Sequence, residues 1–376
     1  MQHRRWTRLA RVLAAGVVAA GLGVAAGAGT PAAAATPDGY GFAFLNAPSQ
    51  PLNVAFFPDP AHRFVTSGGA AMIVRTGFGQ YSVFFPGIAA AAGVAHVTAV
   101  NDGPVWCQVA AYGPTGMGER VDVRCYLLPG ALQDSQFSVL FSTSSAPPAV
   151  PGQYGYLLAN AGGAVVNSYN SAGAANMIGH VAGSGLYTVR LNALGSPMIQ
   201  AGSLQVTAVS AVAAHCKVFR WAPGPAGQTV TVLCFNGFGT LTDNGFTLSY
   251  QRKRAISGAI APPNRFGYIL DSPTQIPPTE TNFNSFLGFD MNTAFAAGAG
   301  LRFITFPAIG QLRDHVQVTA YGPTPAFPGS LSGFCGLLTL WTTANGNAFV
   351  RDVVCFNGLT GARLTQESLV TYTSEA

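Results

Sequence analysis

The chain has 376 residues, with 19 Lys and Arg against 14 Asp and Glu, a formal charge of +5 and an isoelectric point near 9.0. Arg4, Arg5, Arg8 and Arg11 supply most of that excess; without them 15 basic residues face 14 acidic ones, and the one remaining cluster is Arg252-Lys253-Arg254 beside a proline-containing stretch. Nucleic acid and anionic membrane surfaces call for clustered basic residues and are excluded as expected partners. Only 9% of residues are charged, and the abundance of Gly, Ala, Thr, Ser and Val favours strands over helices.

The first stretch, "MQHRRWTRLARVLAAGVVAAGLGVAAGAGTPAAAATPDGY", has a basic start, an apolar run and a small-residue end with an A-x-A site at Ala33-Ala34-Ala35. This layout predicts a signal peptide over 1–35, removed on export. The Arg4-Arg5 pair leaves the general secretory and twin-arginine routes both open. No later apolar run approaches the roughly 18 residues of a membrane span. The mature chain is expected to be secreted, extracellular or surface-associated, with no membrane span after signal removal, where disulfides persist.

The chain then repeats itself at a long period. "GYGFAFLN" at Gly39 returns as "QYGYLLAN" at Gln153 and "RFGYILDS" at Arg265, placing Tyr40, Tyr154 and Phe266 at spacings of 114 and 112 residues. "YSVFFPGI" from Tyr81 aligns with "YTVRLNAL" from Tyr187 and "RFITFPAI" from Arg302, and Val97-Thr98-Ala99 returns at Val206-Thr207-Ala208 and Val318-Thr319-Ala320. Such a length suits an independent small domain and is too long for a solenoid repeat. The expected units are 39–146, 153–254 and 264–376, joined near residues 147 and 260 by short, semi-stiff Pro-Pro linkers that separate domains without much freedom of orientation.

Within each unit about eight short segments alternate at period two between Gly, Pro, Asn and Asp, as in "QYSVFF" and "VDVRCY". The predicted fold is all-β: three tandem antiparallel β-sandwich domains, Ig-like or jelly-roll-like, with one disulfide hairpin each. The Ala-rich "GIAAAAGVA" at Gly87 reads as a loop, because its sister segments keep no alanine run.

Each unit carries two cysteines: Cys107 and Cys125, Cys216 and Cys234, Cys335 and Cys355. Midway between them lie Gly116, Pro225 and Asn345, so folding about these turn residues opposes each pair within disulfide range. The separation changes from 18 to 20 residues in the third unit without disturbing the opposition. Zinc needs four ligands in close pairs and redox chemistry a C-x-x-C, and the sequence has neither, so no metal or cofactor is expected. The second cysteine is always followed by an aromatic, Tyr126, Phe235 or Phe356. Asp134 and Asp243, nine positions beyond it, read as turn residues, with Thr365 replacing them in the third unit.

No catalytic motif is present, the histidines fall at non-equivalent places, and triplication suits avidity better than a single active site. Enzyme activity is thus disfavoured, and no catalytic residue is assigned. For binding, strand alternation puts Trp221, an odd number of positions from Cys216, facing outward or at the strand end. Tyr112 has the same spacing in the first unit, Trp341 one residue more in the third, and Trp106 lies beside Cys107 where His215 and Phe334 replace it. These four are the candidate contacts for a surface glycan or protein partner; the plainer reading is that they cover the sandwich end or stack across the hairpin.

The start "GYGFAFLN", the Val-Thr-Ala strand, the two-cysteine hairpin and the ending "CFNGFGTLTDNGFTLSY" together resemble a group of secreted tandem-repeat proteins of high-GC, actinomycete-type bacteria. The resemblance covers nearly all of the mature chain and implies the architecture and export; it carries no activity and no functional residues. The leading expectation is a non-enzymatic three-module protein binding a surface or extracellular component such as a polysaccharide. The alternatives are a secreted hydrolase or its accessory module, and a structural spacer or coat protein. Non-reducing peptide mapping should return Cys107–Cys125, Cys216–Cys234 and Cys335–Cys355; a free Cys216, or a bond between units, would break the hairpin reading.

Overall fold

A computed structural model describes residues 39–143, 152–258, 265–298, 300–323 and 331–375. The expected signal peptide and both Pro-Pro junctions, near 147 and 260, lie outside them. The chain is nearly all-β, with two single-turn 3-10 helices among the described residues, at Pro60–His62 and Thr279–Thr281. No helix among the described residues is long and apolar enough to cross a membrane. The alanine run after Gly87 forms no helix.

The three hairpins form as the turn chemistry dictates. Val105–Thr115 pairs with Gly118–Leu127, Ala214–Gly224 with Gly227–Asn236, and Gly333–Leu337 plus Thr342–Ala344 with Asn347–Asn357. Their two-residue loops are Gly116-Met117, Pro225-Ala226 and Asn345-Gly346, the last with both residues at positive φ (52° and 76°), as a type I′ turn requires. Cysteine opposes cysteine in register in all three, and the Cα atoms stand 4.0, 4.1 and 4.0 Å apart. Each bond closes a loop worth about 3 kcal/mol through restriction of the unfolded chain.

The three segments are not set apart as the linker composition suggests. One ten-stranded sheet runs from the third segment into the first, and another from the second into the first. Each junction repeats one pattern at equivalent residues. Val209 pairs in parallel with Val109, Tyr321 with Val218, and Val100 with Leu337. The next amide then crosses the seam: Ser210 N donates to the Val109 carbonyl (2.9 Å), Gly322 N to Val218 (2.9 Å) and Asn101 N to Leu337 (2.8 Å). Contacts of this head-to-tail kind close into a ring when the rotation returns on itself, and here it does so after three steps.

The Val-Thr-Ala triplet is the ring's inner surface. Thr207 Oγ1 accepts from Val97 N at 3.4 Å, Thr319 Oγ1 from Val206 N at 3.1 Å, and Thr98 Oγ1 from Val318 N at 2.8 Å. The residue before each Val meets the same hydroxyl. Thr98 donates to Gln317 Oε1 (2.9 Å), Thr319 donates to Gln205 Oε1 (2.7 Å), and His96 Nδ1 lies 3.1 Å from Thr207 Oγ1. Between the first and third segments, Tyr40 also donates to Glu375 Oε1 at 2.6 Å. The apolar clusters cross the seams too: Leu270 and Leu369 of the third segment join the second's core, and Phe44 and Val100 of the first join the third's.

His96 is buried and pushed down to about 3 by desolvation, so it folds neutral. A pKa lowered on folding gives stability that is full above the unfolded value of about 6.5 and is lost as pH falls, by about 2 kcal/mol at pH 5. Glu119 and Glu375, pushed up to about 7 by burial, take protons in the folded state over the same range and work the other way. A single substitution therefore isolates the histidine better than the whole pH profile. His96→Gln, which installs the residue of the other two segments, should shrink the stability lost between pH 7.5 and 5.0 by about 2 kcal/mol in urea melts. An unchanged loss would place His96 outside the buried ring.

Candidate functional site

Bulges in the first two hairpins decide where two of the four sequence-selected aromatics go, Trp221 and Tyr112. In the second hairpin the register slips between Val218 and Arg220, inserting one residue into the strand. One extra residue reverses the alternation beyond it. Trp221 consequently turns inward, 4% exposed, where its Nε1 donates to Gln228 Oε1 at 2.8 Å. The same slip between Val109 and Ala111 leaves Tyr112 half-buried, its hydroxyl on the Gly93 carbonyl at 2.9 Å. Trp341 is 1% exposed and donates to Asp314 Oδ1 at 2.8 Å. The outward platform expected from unbroken alternation is corrected accordingly.

Trp106 is buried for a different reason. Trp106, His215 and Phe334, each just before the first cysteine of its segment, meet with ring centroids 5.3 Å apart on all three sides. Each also packs on the aromatic that follows the partner cysteine, Tyr126, Phe235 or Phe356, at 5.7, 5.2 and 5.7 Å. Six rings thus plug the axis, held by the disulfides beside them. Trp106 Nε1 finds the Ala214 carbonyl across the seam at 2.8 Å. Burial pushes His215 down to about 3, with buried Lys217 acting in the same sense, so it serves the plug as a neutral ring.

The titratable pairs are structural in placement. Asp134 accepts from Gly79 N (2.7 Å), Tyr81 Oη (2.8 Å) and Arg75, and Asp243 from Gly183 N (2.6 Å) and Gly185 N (2.9 Å) beside His180 (3.1 Å). For Asp243 burial is the largest influence and opposes ionisation, but the two amides and His180 outweigh it and hold the carboxyl below its ordinary value. Each aspartate anchors the turn of a hairpin 55 to 60 residues earlier in its segment, in place of the local turn expected of it. His62 Nδ1 lies 2.6 Å from Asp314, across the seam between the first and third segments. Among the described residues no Ser or Thr hydroxyl hydrogen-bonds either of these imidazoles, and no group of three His, Cys, Asp or Glu could hold a metal.

The seam between the second and third segments holds the open space. A hollow of about 370 Å³ takes Phe219 and Arg220 from the second hairpin and Tyr321, Glu367, Ser272 and Gln275 from the third segment. The bulge that buries Trp221 is what delivers exposed Arg220 to this rim. Opposite it, Glu367 accepts from Ser272 Oγ at 2.5 Å, and Gln200 Nε2 donates to Tyr321 Oη at 3.1 Å. A second hollow of about 290 Å³ lies across the loop Ser272–Pro278, over the ion pair of Arg302 with buried Asp271 (2.6 Å). Ile276, 98% exposed before Pro277-Pro278, stands between the two. Sequence spacing could not find Arg220, because nothing in "KVFRWAPG" announces the bulge.

No protein-family model, curated protein or solved structure matches this chain. Trp221→Ala should cost about 3–5 kcal/mol in urea unfolding, the range for removing a buried tryptophan. A cost under about 1 kcal/mol would return Trp221 to the surface.

Proposed function

We propose that the protein is a secreted, non-enzymatic binding protein, three β-sandwich modules of Ig-like or jelly-roll-like type closed into a ring, and that it takes an extracellular glycan at the seam of its second and third modules. The observation that carries this reading is the 370 Å³ hollow in which Arg220 and Phe219 face Glu367 and Tyr321. Its volume falls in the range of small-ligand sites, and it mixes ring faces with donors and acceptors, which is what a sugar's C–H face and hydroxyl edges need. Three disulfides suit an oxidising compartment outside the cytoplasm. The resemblance to secreted tandem-repeat proteins of actinomycete-type bacteria supports the same location.

Both imidazole–carboxylate pairs lack a nucleophile within hydrogen-bond reach among the described residues, which favours binding over hydrolysis. A soluble-oligosaccharide panel followed by titration calorimetry should find a ligand whose affinity falls about tenfold or more in Arg220→Ala, the loss of one charge-assisted hydrogen bond. Equal binding by that variant would move the site elsewhere. Turnover of ester or glycoside substrates would favour the hydrolase alternative, and the absence of any ligand the spacer.

A further inference from the structure

The third segment presents a second surface, remote in character from the seam. Four antiparallel strands, Thr293–Gly298, Leu301–Phe306, Asn347–Asn357 and Thr342–Ala344, lie side by side. In one cross-strand row Thr293, Thr305, Phe349 and Thr342 stand in register, and in the next Phe295 opposes Phe303. Residues in register, and those two apart, share a face of a sheet. Phe295 and Phe303 have centroids 4.8 Å apart, Phe303 and Phe349 6.1 Å at an interplanar angle of 25°, and the Arg351 guanidinium lies 5.8 Å from the Phe303 centroid.

Phe295 is 51% exposed while Phe303 and Phe349 are half-buried, so the rings form a low strip rather than projecting knobs. Threonines flank Phe349 in its own row and stand one row away from Phe295 and Phe303; opposite Phe303 the third strand bulges and places Arg351 and Asp352 there. The corresponding faces of the other segments differ. The first carries Met72, Phe84 and Arg120 beside Val74, Ser82 and Asp122, with Arg120 paired to Asp122 at 2.5 Å. The second carries Met177, Arg190 and Thr229 beside Gly179, Thr188 and Thr231. Contiguous rings on solvent-facing strands are not a packing requirement of the fold, because two of its three copies do without them.

We propose that this face binds the flat side of an insoluble, neutral polysaccharide, with sugar rings stacked on Phe295, Phe303 and Phe349 and sugar hydroxyls met by Thr293, Thr305 and Thr342. The chemistry selects this occupant. A pyranose offers a C–H face to an aromatic ring and hydroxyls at its edge, the pattern of rings bordered by hydroxyls found here. A lipid surface calls for clustered lysine and arginine, and the face has one arginine. The core of a protein interface calls for fully apolar or aromatic packing, and here every ring has a threonine neighbour. The proposal is independent of the seam site and stands or falls separately.

The test is depletion of the mature protein from solution by microcrystalline cellulose and by chitin, with bound and free protein measured at 0.1 M and 1 M salt. The wild type should be retained on at least one solid at both salt concentrations, because stacking is not screened. Phe295→Ala with Phe303→Ala should lower the partition coefficient by about tenfold or more, and Phe295→Ala alone, at an edge strand, should do so in part without shifting the thermal midpoint. Arg220→Ala should be retained like the wild type. Wild-type protein left in the supernatant of both solids, or equal retention of both phenylalanine variants, overturns the proposal. Self-association of the wild type that the double variant loses, seen by sedimentation, overturns it in favour of an interface with a second copy.

Discussion

Each threonine hydroxyl of the Val-Thr-Ala triplets sits on the valine amide of the neighbouring segment, and the three such contacts close on themselves. A hydrogen bond of this kind contributes only about 1 kcal/mol, but a buried amide left without it costs about 1–3 kcal/mol. Moving one segment would strand two of the three contacts at once. The constraint explains why polar side chains occupy the interior: Gln205, Gln317 and His96 are buried because they complete the hydroxyl ring. It also explains the plug of Trp106, His215 and Phe334, since three strands converging on one axis leave a gap that planar rings fill.

Much of the strand pattern was legible in the sequence, and the disulfide hairpins fully so. Both rest on local rules, alternation and turn chemistry, that act within one segment. The association of segments was less legible, although its marks were visible: a threonine at Thr98, Thr207 and Thr319, and an aromatic after every second cysteine. Those marks read equally well as strand filling, because a hydroxyl aimed at another segment's amide leaves no periodic trace. Pro-Pro junctions misled, since composition reports the stiffness of a connector and says nothing of the faces it brings together.

The aromatic site residues failed on a single residue of register. Alternation counted from Cys216 sends Trp221 outward, and a bulge at Val218 and Arg220 sends it back. Because the same bulge turns Arg220 out, one local irregularity both built the core and supplied the seam with its cation. Outer faces tell the reverse story. Phe303 stands where the aligned segments have Ser82 and Thr188, an outward position filled by an aromatic in one copy alone, and that difference was open to inspection in the sequence. The axis repeats one arrangement three times while the outer faces diverge, and the proposed recognition sites lie where the segments differ.

The central claim is that the three segments are one cooperative body. Differential scanning calorimetry of the mature, oxidised chain tests it through the ratio of calorimetric to van't Hoff enthalpy. A closed ring predicts one transition with a ratio of about 1, whereas three independent domains on linkers would give about 3 or resolved peaks, and that result would contradict the account.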